Sequence, residues 1–378
     1  MSTLGVVFRS RKENEHRLPI HPSHFSLIPE AVRSSIRFEK GYGEPFGWSD
    51  EQLNGIFGGV ADRSDIMATS DVVLLPKPLP EDLNEVREGG TVWGWPHCVQ
   101  QADMTQCAID RKLTLIAWEA MFTWGKGGTR QLHIFERNNE MAGYCSVLHA
   151  MGLMGMDGSY GPQTKAIVIS HGSVGRGAIY ALQGRGFREI NVYTQRPPWA
   201  VHDKIVGCRY GQLVRAENGH GMLVIEEDGS NRRLIDALAS CDLIVNGILQ
   251  NTDDPLMYIQ EGEESRMRPG SLIVDVSCDL EMGFPFARPT SFVHPTFEAG
   301  PAMYYAVDHS PSYLWRSASW EISKVVVPFI EDVMRGPKAW AANETLHRAI
   351  EIYEGTVRNE DILHFQGRSA EYPHTIVE

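Results

Sequence analysis

The sequence predicts an α/β protein of two domains, each built around a mainly parallel sheet. Three observations predict it. A chain of 378 residues exceeds what one hydrophobic core usually supports. Short β-rich runs alternate with polar, helix-compatible segments in both halves. A glycine-rich stretch, GMDGSYGPQT (155–164), punctuates the chain, and a second series of strands begins after it.

In order, the first half carries LGVVF (4–8), SIRFEKG (35–41), DVVLLPKPL (71–79), TVWGWPH (91–97) and LTLIAWEAM (113–121), the strands of a buried parallel sheet. Residues 138–154, NNEMAGYCSVLHAMGLM, place Met141, Cys145, Leu148 and Leu153 at helical spacing with no proline between them, a helix expected to link the domains. The second half then runs KAIVIS (165–170), a glycine loop, the helix AIYALQGRGF (178–187), INVYT (190–194), CDLIVNGI (241–248), SLIVDVS (271–277) and SFVHP (291–295) as strands. From about residue 306 the pattern turns helical, with SWEISKVVVPFIEDVM (319–334) and NETLHRAIEIYEG (343–355) as amphipathic candidates. The expected division is 1–137 with 307–378 as a substrate domain and 138–306 as a dinucleotide-binding domain.

Bulk properties exclude several function classes. A net charge of -13 argues against nucleic acid as a partner, since phosphate binding needs concentrated Lys and Arg. The apolar content of 42% with 22% charged residues is that of a folded soluble chain. The start MSTLGVVFRSRKENEHR lacks the apolar core of a secretory signal, and runs such as VVLLP and LIVNGIL are too short to span a bilayer, so a cytoplasmic protein without membrane partners is expected. Cysteines 98, 107, 145, 208, 241 and 278 lack C-x-x-C spacing, which favours reduced thiols over bridges or a metal site.

The loop ISHGSVGRG (169–177) has the form of a phosphate cradle. Gly172, Gly175 and Gly177 supply the turn, the close approach to pyrophosphate and the tight helix–strand packing that such a site needs. Ser170 stands where the first glycine of G-x-G-x-x-G would be, and its hydroxyl can itself donate a hydrogen bond to a phosphate. The preceding strand and following helix supply the required context; a structural turn without a ligand stays open. The expected cofactor-binding set is Ser170, Gly172, Ser173, Val174 and Gly175. At the end of the next strand, where an acid normally receives the ribose 2′-hydroxyl of NAD, the chain has Thr194-Gln195-Arg196. A guanidinium with two polar donors suits a 2′-phosphate, so NADPH is expected over NADH, although an ordinary exposed arginine also fits.

Three polar residues of the first domain follow strand ends, where open α/β sheets place ligands. Arg17, in NEHRLPIHP, offers a fork for a carboxylate. Lys77, between Pro76 and Pro78, can polarise a carbonyl oxygen. His97, in GWPHC, has the side chain best suited to proton transfer near neutrality. Taken singly, each also fits a duller role: solvated charges for Arg17 and Lys77, a satisfied buried histidine for His97. Past SLIVDVS, Asp275 suits a turn cap, and Asp279 either meets a ligand or closes an Asx-turn. Tyr313, Trp315, Arg316 and Trp320 serve equally as pocket lining or helix packing.

Taken together, HRLPIHP, LLPKPLPEDLNEVREGG, GWPHC, NEMAGYCSVLHA, the glycine loop and VDVSCD resemble the alanine dehydrogenase and transhydrogenase α-subunit family, and within it the N5-(1-carboxyethyl)ornithine synthase branch. The resemblance covers roughly 1–366 and includes FEKGYG, NVYTQRP, MGFPFARPT and AVDHSPSYLWRSASWEIS. It implies two Rossmann-like domains, the first completed by C-terminal helices, with the active site in the interdomain cleft. It implies that Arg17 and Lys77 bind a keto acid and that His97 and Asp279 are catalytic, with Lys77 assisting. The implied reaction is NADPH-dependent reductive condensation of pyruvate, or another 2-keto acid, with the side-chain amine of an amino acid such as ornithine. Reductive amination with ammonia and saccharopine-type chemistry are siblings of this reaction, and a non-catalytic NADP-binding protein or a soluble transhydrogenase component is the rival class. A homo-oligomer is also implied.

Overall fold

The structure, a computed structural model, describes residues 1–216, 221–251 and 254–377. The chain falls into two compact units, Met1–Glu136 with Trp315–Glu378, and Arg137–Leu314. In chain order the strands are β1 (Leu4–Val6), β2 (Ile36–Glu39), β3 (Val60–Ala61), β4 (Val72–Leu74), β5 (Thr91–Gly94), β6 (Thr114–Ala117), β7 (Phe122–Trp124) and β8 (Arg130–His133). There follow β9 (Lys165–Ile169), β10 (Glu189–Thr194), β11 (Cys208–Arg215), β12 (Met222–Ile225), β13 (Asn231–Arg233), β14 (Leu243–Asn246), β15 (Leu272–Asp275), β16 (Thr296–Ala299), β17 (Ala302–Tyr305), β18 (Ile350–Tyr353) and β19 (Thr356–Val357). This is the expected α/β class.

The sheet of the first unit has the order β19-β18-β6-β5-β4-β1-β2-β3. From β6 to β3 every pairing is parallel, and β18 closes the other side antiparallel to β6. Its strands read as unbroken apolar runs because both faces are covered: Leu4, Val6, Val72, Leu74 and Trp93 point into one core, Val7, Val73, Leu75 and Val92 into the other. Within the first core Trp118 packs edge-on to Trp95 at 4.6 Å and stacks on Phe135 at 4.8 Å. The second unit has the order β13-β12-β11-β10-β9-β14-β15-β17-β16, parallel from β11 to β17 and antiparallel at both edges.

The helix Glu136–Leu153 forms with Cys145 buried, but Leu153 is exposed; Val147, Ala150 and Met151 carry the core face instead. Two corrections concern elements. No strand forms over 291–295, where Ser291 and His294 bond each other in a tight turn and Pro295 has no N–H for a ladder. The helix expected over 343–355 stops at Arg348, and Ile350–Tyr353 becomes β18, because alternating Ile-Glu-Ile gains the ladder to β6. Pro328 likewise divides the preceding helical stretch into Trp315–Val326 and Ile330–Arg335.

Candidate active site

In the first unit the chain runs β1, β2, β3 to one edge and returns to β4 on the far side of β1. Open α/β sheets hold ligands at such a reversal of strand order, beyond the carboxyl ends. Arg17 follows β1, Lys77 follows β4 and His97 follows β5, while Glu119 follows the adjacent β6.

Arg17 is 3% exposed. Its Nε donates to Glu15 Oε1 at 2.9 Å and its Nη2 to Oε2 at 2.5 Å, and the guanidinium lies 5.0 Å from the centre of the Trp95 ring. A fork held by a carboxylate and a ring has little rotational freedom left. Lys77 is buried between its two prolines, and its carbonyl accepts from the Ser10 hydroxyl. Two residues on, Leu79 donates to Asp82 at 2.8 Å, which starts the helix Pro80–Glu85 and fixes the segment.

His97 adopts a left-handed backbone conformation, φ 49°. Its N–H donates to Glu119 Oε1 at 2.6 Å, and its Nδ1 lies 3.6 Å from the same oxygen. Burial and the charge of Glu351 push the Glu119 carboxyl upward, against the pull of the His97 N–H and the Lys77 charge. Its Oε2 is buried without a hydrogen-bond partner among the described residues. Lys77, His97 and Glu119 are therefore one electrostatic group, and Arg17 joins it through Trp95, two residues before His97. Sequence reasoning does not single out Glu15 or Glu119; the signal for each is an acid beside a candidate, at two residues from Arg17 and directly after the run LTLIAW.

The second unit repeats the topology, with the reversal between β9 and β14. A cavity of about 460 Å³ opens there, lined by Ser170, Gly172, Ser173 and Val174 after β9, Thr194 at the end of β10 with Gln195 and Arg196 after it, and Gly247 and Ile248 after β14. No acidic side chain lines it among the described residues. Ser170 has φ 148°, a region normally left to glycine, and its Oγ accepts from the Gly172 N–H at 3.1 Å, which closes the loop onto itself. The helix Ser173–Gly184 then begins with its N-terminal amides at the cavity. A Cβ at Gly172 would meet only Ser170 Oγ, at 3.6 Å, so the backbone there is open to a ligand. Gly175 is not part of the cavity wall: a Cβ there would strike the Ser170 carbonyl, and one at Gly177 the Glu140 carbonyl of the neighbouring helix. Thr194 donates to the Arg196 carbonyl at 2.8 Å and so shapes the turn that presents the guanidinium. Helix amides, an open glycine and a guanidinium without a competing acid fit a phosphate-bearing dinucleotide.

At the end of β15, Asp275 is fully buried and accepts from Tyr304 Oη (2.8 Å), Asn246 Nδ2 (2.9 Å) and the N–H groups of Ser277 and Cys278 (3.1 and 3.2 Å). It caps the turn. Burial pushes its carboxyl to about 6. Burial and the Asp275 charge likewise push Asp279 to about 6. Tyr313 stacks on His149 at 4.9 Å in the second unit. Trp315, Arg316 and Trp320 belong to the first, where Arg316 lies over Phe46 and Trp320 packs 4.4 Å from His24. Trp315 also lines a cavity of about 570 Å³ with Phe8, Ser10 and Glu15. Among the described residues no cluster of His, Cys, Asp and Glu could hold a metal, and no helix is long and apolar enough to cross a membrane. The six thiols are unbridged.

Comparison with known proteins gives this arrangement its context. The alanine dehydrogenase/PNT N-terminal domain matches residues 6–141, and the C-terminal domain of the same family matches 142–360. The chain belongs to the alanine dehydrogenase/PNT family. Within that family, an N(5)-(carboxyethyl)ornithine synthase of Clostridium botulinum is 25% identical over 81% of this chain and 90% of its own. An alanine dehydrogenase of Mycolicibacterium smegmatis is 21% identical over 93% of both chains. A solved L-alanine dehydrogenase superposes with a TM-score of 0.74 at 19% identity, covering 96% of this chain and 98% of its own. Membership of the alanine dehydrogenase/PNT family makes the chain an enzyme, an oxidoreductase that works with a nicotinamide cofactor.

Proposed function

We propose that the enzyme catalyses the NADPH-dependent reductive condensation of a 2-keto acid, such as pyruvate, with the side-chain amine of an amino acid, such as ornithine. The observation that carries the cofactor choice is the cavity after β9, where Arg196 is presented and no acid among the described residues awaits a ribose 2′-hydroxyl. The relatives named N(5)-(carboxyethyl)ornithine synthase support the choice of amine.

Arg17, held in plane by Glu15 and Trp95, takes the keto-acid carboxylate. Lys77 donates to the carbonyl oxygen and makes its carbon electrophilic. As the amine adds, His97 accepts the proton that the nitrogen loses, then returns a proton to the hydroxyl that departs as water, leaving the imine. Glu119 fixes the His97 backbone through its N–H and so positions the imidazole, whose Nδ1 lies 3.6 Å from the same carboxyl. Asp279 supplies countercharge for a cationic imine. Ser170, Gly172, Ser173, Val174 and Arg196 would hold the dinucleotide, with Thr194 and Gln195 shaping the Arg196 turn. When bound, the reduced nicotinamide supplies the hydride that converts the imine to a secondary amine.

The test is consumption of reduced nicotinamide by the purified enzyme with pyruvate and candidate amines. Consumption that requires both pyruvate and an amino acid supports the reading. Full activity with ammonia alone would replace it by the alanine dehydrogenase reaction.

A further inference from the structure

A further cavity of the first unit, about 510 Å³, shares no wall with Arg17, Lys77 or His97. The β7–β8 hairpin, the start of β18 and the turn after β19 enclose it. Its volume lies in the range of small-molecule sites.

Three arginines line this cavity, and each lies over an aromatic ring: Arg130 over Phe122 at 4.8 Å, Arg348 over Trp124 at 4.1 Å, Arg358 over Tyr353 at 4.2 Å. A ring beneath a guanidinium sets its plane and leaves the N–H edge pointing outward. Arg348 is paired with Glu344 at 2.8 Å. Arg130 and Arg358 form no ion pair among the described residues.

Two acids also line the cavity. Glu360 is exposed. Glu351 is 4% exposed; its Oε1 accepts from Asn359 at 3.1 Å, and its Oε2 has no partner among the described residues. Burial raises its carboxyl above the usual range, which reduces the negative charge at the cavity wall. Three arginines against two acids leave the wall positive.

We propose that this cavity binds a small oxyanion of two or more negative charges, a phosphate or a polycarboxylate, gripped by Arg130 and Arg358. Nothing in the reductive condensation uses these residues, so this site stands or falls separately from that reading.

Isothermal titration of the full-length enzyme with inorganic phosphate, and separately with citrate, both against chloride at equal ionic strength, tests it. The expected result is saturable binding of at least one of the two, weakened about tenfold or more in Arg130→Ala/Arg358→Ala and retained in Arg196→Ala. Phosphate without citrate, or the reverse, identifies the source of the oxyanion. Arg130→Lys/Arg358→Lys, which keeps the charge but not the fork, should fall between. Circular dichroism establishes that the variants are folded. No millimolar binding of either ion, or binding that survives the double alanine variant, would overturn the proposal; so would binding lost in Arg196→Ala alone, which places the ion at the dinucleotide cavity.

Discussion

Replacing Arg196 by alanine should remove most of the preference for NADPH over NADH. Arg196 is the cation presented by the turn after β10, and among the described residues the cavity it lines has no acid to oppose it. The side chain is exposed, so its attraction for a phosphate is that of charges in a high dielectric. At about 4 Å this is roughly 1 kcal/mol per unit charge, and a 2′-phosphate carries nearly two, giving about 2 kcal/mol. That corresponds to about thirtyfold in the ratio of dissociation constants. The ratio should also shrink as salt rises, because an exposed pair is screened. Dissociation constants for both dinucleotides, followed by nicotinamide fluorescence at low and high salt, measure it. Equal weakening of NADPH and NADH in Arg196→Ala, or a wild-type enzyme that prefers NADH, would show that Arg196 does not select the cofactor. In the opposite sense, Gln195→Asp should favour NADH by placing an acid at the ribose.

Further outcomes follow from the same geometry. Arg17→Lys keeps the charge beside Glu15 but loses the fork, and should raise KM for the keto acid by about tenfold with a smaller effect on kcat, read from steady-state kinetics. His97→Ala should instead depress kcat by about a hundredfold or more while leaving keto-acid affinity near wild type. Gly177→Ala should lower Tm sharply, because its methyl would strike the Glu140 carbonyl, whereas Gly172→Ala should fold normally and lose dinucleotide affinity. Asp279→Asn should stabilise the fold at neutral pH: a carboxyl raised from 3.8 to about 6 penalises the folded state above about pH 6 and not below 3.8. Urea denaturation should show a gain of up to about 3 kcal/mol at neutral pH that vanishes in acid.

Much of the fold and part of the candidate site are legible in the amino-acid sequence. The strands LGVVF, DVVLLP, TVWG, LTLIA, KAIVI, INVYT and LIVN declare themselves because strands buried on both faces read as continuous apolar runs, and the glycine loop marks the turn after β9. The ends of those strands then name Arg17, Lys77, His97 and Arg196. What escapes is set by partners distant along the chain. Ile350–Tyr353 continues a helical-looking run and becomes a strand only because β6 lies beside it, more than two hundred residues earlier in the chain. The meander β11–β13 supplies antiparallel strands at one edge of a sheet that reads as parallel. Glu119 reads as the tail of a strand; its importance lies in its bond to the His97 N–H and its electrostatic coupling to Lys77 and Glu351, which no local pattern encodes. Gly175 has the spacing of a phosphate cradle and is explained by packing against the Ser170 carbonyl.

The proposed reaction joins a keto acid to an amino-acid amine with NADPH as reductant. Mass spectrometry of the product formed from pyruvate, ornithine and NADPH tests it most directly, with parallel reactions in which ammonia replaces ornithine and NADH replaces NADPH. The expected product is an N-(1-carboxyethyl) amino acid, formed fastest with NADPH and absent without the amino acid. Alanine as the sole product, made equally well with NADH, would contradict it.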